Sequence, residues 1–224
     1  MDYSRIHEEA FSVEGVHFKK TKKRTNPKKA DPFLILEGQR PLLVTAPHSV
    51  RYIRSKELCR SDIFTGALAY LLNNYTNCHA LAVKKLYGGD PDYDIVCIFK
   101  DRLREFTDKR KINFLLDIQG AAGEEPFDVR IATPRSNAPP GQNNLSSIIA
   151  RNLEKCGISK VTRNRAREEQ PGSIIGFAAA ELGIPALRVE ISRRFRAPNG
   201  GGPEFDSLFA GLVDTLNEIE EFLP

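Results

Sequence analysis

Short apolar runs separated by polar turns mark the chain from about residue 32 onward, and their spacing alternates between two kinds of element. "PFLILEGQRPLLVTA" reads as two strands around the turn Glu37-Gly38-Gln39-Arg40. "SDIFTGALAYLLNN" switches to helical spacing, with Ser61 as the expected N-cap and Ile63, Leu68, Leu71 and Leu72 on the apolar side. "ALAVKKL" is the next strand. The loop "YGGDPDYD" and an amphipathic helix through "IVCIFKDRLREFTDKR" follow, and then the strand "INFLLDI". Beyond the loop "AAGEEPFD", "VRIATP" reads as a strand, "LSSIIARNLEKCG" as a helix and "KVTR" as a short strand. "SIIGFAAAELG" is then a helix and "ALRVEIS" a strand. A last helix from about Glu204 to Leu223 carries Phe205, Leu208, Leu212, Leu216 and Ile219 on one stripe. Strands alternating with helices predict one α/β domain spanning residues 1–224, with a mixed, mostly parallel sheet flanked by helices.

Composition narrows the class. No apolar run approaches the roughly 18 residues of a membrane helix, and "MDYSRIHEEAF" is too polar for a secretory signal. Four cysteines, at 59, 78, 97 and 156, show no CxxC spacing, so reduced thiols in a cytoplasm are expected. The net charge of +4 is a mild bias, concentrated in "KKTKKRTNPKK". That run, residues 19–29, reads as a basic flexible loop. It lacks the interleaved aromatics of a single-strand binding platform, which makes nucleic acid an unlikely partner.

Chemistry-bearing residues gather where strands end. His48 in "LLVTAPHSV" stands two residues past a strand, whereas His79 in "TNCHALAV" precedes one and reads as structural. Asp62 opens the first long helix, where a carboxylate is favoured by the helix dipole and could equally serve as a ligand. Glu57, in the same loop, is a second acidic candidate. Glu190 interrupts an apolar strand; a carboxylate there either pairs with a cation, Arg188, Arg193, Arg194 and Arg196 being near in sequence, or works as an acid/base. In "FLLDIQGAA", Asp117 and Gln119 stand where a strand hands over to a loop. If the strands are parallel, His48, Gln119 and Glu190 share the edge of the sheet at which α/β proteins bind ligands.

"VTAPHSVRYIR", "SDIFTGALAYLL", "DPDYD", "FLLDIQGA" and "ALRVEIS" resemble, in sequence and order over about residues 40 to 196, the N-formylglutamate amidohydrolase family. That family is similar to a branch of the zinc-carboxypeptidase-like hydrolases. The resemblance implies zinc, a carboxylate-bearing small-molecule or peptide-like substrate, and cleavage of an amide or peptide-like bond next to that carboxylate. It assigns His48 and, less directly, Asp62 as metal ligands and Glu190 as the general base. Arg163, Arg165 and Arg193 are candidates for holding the substrate carboxylate and the oxyanion. Position 119 departs from the pattern: the family's third zinc ligand there is a histidine, and glutamine offers zinc only a neutral amide oxygen. Asp92 also departs, since relatives often carry asparagine. The alternative function is therefore a non-catalytic binding protein that keeps the scaffold without a competent zinc site.

Overall fold

The computed structural model describes residues 2–19, 30–121, 123, 125–134, 142–165, 172–198 and 202–223, without the side chains of 142, 143, 164 and 165. Apart from Lys19, the basic run therefore lies outside the described residues.

In chain order, α1 (Ile6–Val13) runs into a π-helical turn (Glu14–Phe18), followed by β1 (Phe33–Leu36), β2 (Leu42–Ala46) and the small hairpin β3 (Tyr52–Arg54) and β4 (Glu57–Cys59). Next come α2 (Thr65–Thr76), β5 (His79–Val83), α3 (Ile98–Asp108), β6 (Phe114–Gly120), β7 (Val129–Thr133) and α4 (Gln142–Lys155). The chain continues through β8 (Val161–Arg165), α5 (Ile174–Glu181), β9 (Ala186–Ile191), the single turn α6 (Arg193–Arg196) and α7 (Gly202–Glu221).

Seven strands form one sheet in the order β1-β5-β2-β6-β9-β7-β8. The four central strands, β5, β2, β6 and β9, are mutually parallel. β1 pairs antiparallel with β5, and β7 pairs antiparallel with β9 and parallel with β8. A strand covered on both faces has to be apolar throughout. Every residue of β2 and β5 is accordingly buried. α2 packs on β2, β5 and β6 and α4 on β7, β8 and β9, with α7 lying on both helices and α1 on α7; α5 packs on β6 and β9. Phe64, Phe205, Phe209, Leu68, Leu72 and Leu216 fill the first layer with almost no exposure. The expected single α/β fold with a mostly parallel sheet is what forms.

Two local expectations fail. Ser61 does not cap α2: its N-cap is Phe64, in the left-handed region at φ 68 and without a side-chain capping bond. Asp62 consequently lies in the turn before the helix, and its backbone N–H donates to the His48 carbonyl at 2.8 Å. That bond ties the turn back to the end of β2.

Candidate functional site

Asp117, Gln119, Arg188 and Glu190 alternate with apolar neighbours along β6 and β9, so all four project from one face of the sheet. The register sets Asp117 beside Arg188 and Gln119 beside Glu190, with Thr45 of β2 next to Asp117 and Arg130 of β7 next to Glu190. The fully buried Asp117 carboxylate accepts from Thr45 Oγ1 at 2.8 Å, from Gln119 Nε2 at 2.8 Å and from Arg188 Nε at 3.0 Å. Burial lifts its pKa above the ordinary Asp range, although Arg188 opposes the shift. Arg188 is pinned on its other side by Asp92, whose Oδ1 also accepts the Ile174 N–H at 2.9 Å at the start of α5. Burial works against the guanidinium's charge, but Asp92 and Asp117 outweigh it and raise its pKa.

Glu190 pairs with Arg130, across the sheet, rather than with any arginine near it in sequence. Burial pushes its carboxyl pKa up, and Arg130 and Arg188 pull it back. Glu190 is a paired strand carboxylate in this arrangement.

His48 sits at the end of β2, 3 % exposed, its ring stacked on Tyr52 with centroids 3.9 Å apart. Nε2 meets Asp90 Oδ1 at 2.7 Å, and Nδ1 faces Asp62 Oδ2 at 3.6 Å. Asp90 is fully buried and also takes Arg54 Nε at 2.6 Å and the Asp92 N–H at 2.9 Å. Burial disfavours the imidazolium, but the two carboxylates win and raise its pKa to about 9. Asp62 Oδ2 accepts the Gly120 N–H at 2.8 Å, which brings it to the end of β6. Through Asp90, the Asp92 backbone and Arg188, the histidine cluster is continuous with the Asp117–Gln119 cluster. Asp90, Arg54 and Tyr52 escaped the sequence reading. "DPDYD" was a signal for Asp90, but nothing local shows that it reaches His48 across 42 residues.

This arrangement bears directly on zinc. Two bonds of about 2.1 Å at a tetrahedral angle put ligand atoms roughly 3.4 Å apart, and His48 Nδ1 and Asp62 Oδ2 are 3.6 Å apart. Asp90 on the opposite nitrogen is the carboxylate that orients a metal-binding histidine in many sites. The third donor fails. The Gln119 amide points its NH₂ at Asp117, and among the described residues no three His, Cys, Asp or Glu side chains converge as a metal site. Glu57 is exposed in the β3–β4 hairpin. Among the described residues the donors present are two of a set of three, one short of a catalytic zinc centre.

A cleft of about 1010 Å³ opens beside Asp62, at the carboxyl ends of β6 and β9. Arg51, Arg60, Arg193, Arg194 and Arg196 contribute to its lining, with Tyr52 and Phe127 as apolar wall. Arg194 pairs with Glu204, and the buried Arg196 donates to the Ile63 carbonyl at 2.8 Å. Arg51, Arg60 and Arg193 are exposed and form no ion pair with a described residue. Of the residues singled out from sequence, Asp62 and Arg193 line this cleft; His48 lies behind Tyr52, and Gln119 and Glu190 lie in the sheet. Arg163 is on β8, at the sheet's edge, and donates to Ser147 Oγ at 2.7 Å. The Arg165 side chain lies outside the described residues. His79 is structural, as expected: Nδ1 accepts the Gly38 N–H at 2.9 Å.

No family model and no curated protein matches the chain. Solved structures do. A metallo-carboxypeptidase from Burkholderia cenocepacia aligns at TM-score 0.53 and 10% identity, over 85% of this chain and 61% of that one. A metallo-carboxypeptidase from Pseudomonas aeruginosa, in complex with (2-guanidinoethylmercapto)succinic acid, aligns at TM-score 0.55 and 12% identity over 98% and 68%. Succinylglutamate desuccinylase from Vibrio parahaemolyticus aligns at TM-score 0.54 and 11% identity over 84% and 71%. The chain thus spans about two thirds of the length of these neighbours. At such identities the likeness concerns the fold: this chain has the α/β fold of the metallo-carboxypeptidases.

Proposed function

We propose that this protein binds a small carboxylate-bearing molecule in the arginine-lined cleft, on a metallo-carboxypeptidase-like scaffold whose zinc donor set is incomplete. One observation carries the reading. Arg51, Arg60 and Arg193 border a single cleft without an ion pair to any described residue, its five arginines outnumber the carboxylates Asp62, Glu125 and Asp128 that also line it, and guanidinium groups recognise carboxylates through paired hydrogen bonds. A cleft with an excess of positive side chains attracts an anion. The carboxylate chemistry of the neighbours, a succinic acid derivative in one and a succinylglutamate-processing activity in another, agrees with it.

Calorimetric titration with succinate tests this. Saturable binding is expected, weakened at least about tenfold in Arg193→Ala, as loss of a charge-assisted hydrogen bond implies. Absence of binding, or indifference to the substitution, would sink the proposal.

A second reading, the metal-dependent hydrolase of an amide bond next to a carboxylate, is favoured by the 3.6 Å approach of His48 to Asp62 with Asp90 behind the ring. It requires a further donor at or near position 119. Tight one-to-one zinc binding by the unaltered protein, together with turnover of an N-acylated acidic amino acid, would favour it over the first.

A further inference from the structure

Next to the turns that carry His48 and Asp62, a second cavity of about 410 Å³ lies between the π-helical turn and the start of α2. It is lined by Glu14, Phe18, Lys19, Ser49, Val50 and Arg51, with Ser61 and Ile63 closing the side toward the cleft. Arg51, Ser61 and Ile63 line both cavities, so the two adjoin.

Glu14 is the unusual member. It is 2 % exposed, and its Oε2 has no hydrogen-bond partner among the described residues. Buried polar atoms are nearly always satisfied, and one that is not calls for a donor from elsewhere. Its one evident donor is the backbone N–H of Phe64, a residue held at positive φ, where a non-glycine side chain is strained. The Lys19 ammonium rests over the Phe11 and Phe64 rings, 5.9 and 5.6 Å from their centroids, and forms no ion pair with Glu14. Glu14 also begins a π-helical turn, a distortion frequent at functional sites. The Phe18 ring seals that turn by lying against Gly66, where even a Cβ would come within 2.5 Å of it. An orphan carboxylate oxygen, a strained backbone donor and a π turn around one cavity are what a ligand-binding pocket requires, and packing alone does not.

From this we infer that the pocket takes the ammonium group of a small zwitterion of amino-acid type, with Glu14 receiving the ammonium, Arg51 the carboxylate, and Phe18, Val50 and Ile63 an apolar side chain. The inference rests on the proposed carboxylate binding insofar as Arg51 serves both cavities, and it adds the second charge and the apolar contact. Burial pushes the Glu14 carboxyl up to about 7 against the opposing charges of Lys19 and Arg196, so a bound ammonium stabilises the ionised form.

Titration calorimetry of the full chain with L-leucine, N-acetyl-L-leucine and L-leucinamide provides the test. At about pH 8, where Glu14 is ionised, leucine is expected to bind at least about tenfold more tightly than its N-acetylated form. Glu14→Gln should bring that ratio close to one, and Arg51→Ala should weaken leucine while leaving leucinamide unchanged. Should Glu14→Gln fail to fold, the unaltered protein still decides the matter. Leucine affinity should fall as pH drops below about 7, although leucine itself keeps both its charges there. Equal binding of leucine and N-acetyl-leucine, preserved discrimination in Glu14→Gln, or no binding of leucine would each overturn the inference. Succinate has no amine for Glu14 and its binding is read through Arg193, which lines only the arginine cleft, so failure of one reading is visible apart from failure of the other.

Discussion

At position 119 the choice between an amide and an imidazole decides what the cluster around it can do. The glutamine completes the hydrogen bonding of buried Asp117, a stable arrangement for a carboxylate that also holds Arg188. A histidine there could donate one ring N–H to the same Asp117 oxygen and leave the other nitrogen free, recreating an oriented ligand. Gln119→His should therefore raise zinc affinity by more than about tenfold, the lower edge of what even outer-sphere changes produce. The check is calorimetric zinc titration of both forms. If the variant binds no better, residue 119 does not serve the His48–Asp62 pair. His48 and position 119 were legible because each ends or follows an apolar strand, and Asp62 because it precedes the apolar stripe of a helix. Asp90 and Arg54 were not, because neither interrupts a hydrophobic pattern and both reach His48 only through folding.

At the scale of elements, the loop between β5 and α3 is held onto α5 by a close set of contacts. Lys100 of α3, 2 % exposed, donates to the carbonyls of Asp94 and Gly172, and burial lowers its pKa. Asp92 bonds the first N–H of α5, and Gly172 lies so near the loop that a Cβ would stand 2.0 Å from the Tyr93 carbonyl oxygen. Backbone, unlike the end of a flexible side chain, cannot step aside locally. Gly172→Ala should destabilise the protein by about 2 kcal/mol or more, in the upper range for overpacking. It should also loosen Asp90 and Asp92 from their partners. Chemical denaturation would show the first effect and the His48 ring resonances the second; an unchanged midpoint would contradict the packing described. All seven strands of the sheet were legible from their apolar runs. Helix α1, the β3–β4 hairpin and α6 were not. Only Ile6 and Ala10 of α1 are buried, too thin a stripe to show a period, and the hairpin carries no buried residue.

On the scale of the whole molecule, charge is distributed unevenly. Among the described residues no helix is long and apolar enough to cross a membrane, and all four cysteines are free thiols. The net charge of +4 is small, yet five arginines against three carboxylates line one cleft, and Arg51, Arg60 and Arg193 form no ion pair among the described residues, so local potential rather than total charge should govern ligand capture. Succinate binding should weaken severalfold between about 0.1 M and about 1 M salt, as the screening length falls from roughly 10 Å to roughly 3 Å. Titrations across that series provide the measurement, and salt-independent affinity would mean that the arginines do not hold the ligand. The expectation of a mobile basic run concerns residues outside those described, apart from Lys19, which contributes to the second cavity.

Taken alone, the amino-acid sequence determined the alternation of strands and helices, the single α/β domain and the positions at which polar side chains interrupt apolar runs. Those are local properties: a run of buried residues has to be apolar wherever it lies, and a carboxylate inside one stands out against it. Partnership was decided only by the tertiary structure. Glu190 had four arginines close in sequence but took Arg130, which reaches it through the antiparallel pairing of β7 with β9. Asp92, read as a departure in a loop, became the carboxylate that joins Arg188 to α5. Arg51 and Glu14, separated by the whole of β1 and β2, came to line one cavity. Desolvation imposes a partner on each buried charge, but which partner arrives depends on strand order and register, and these are settled by the packing of the whole sheet.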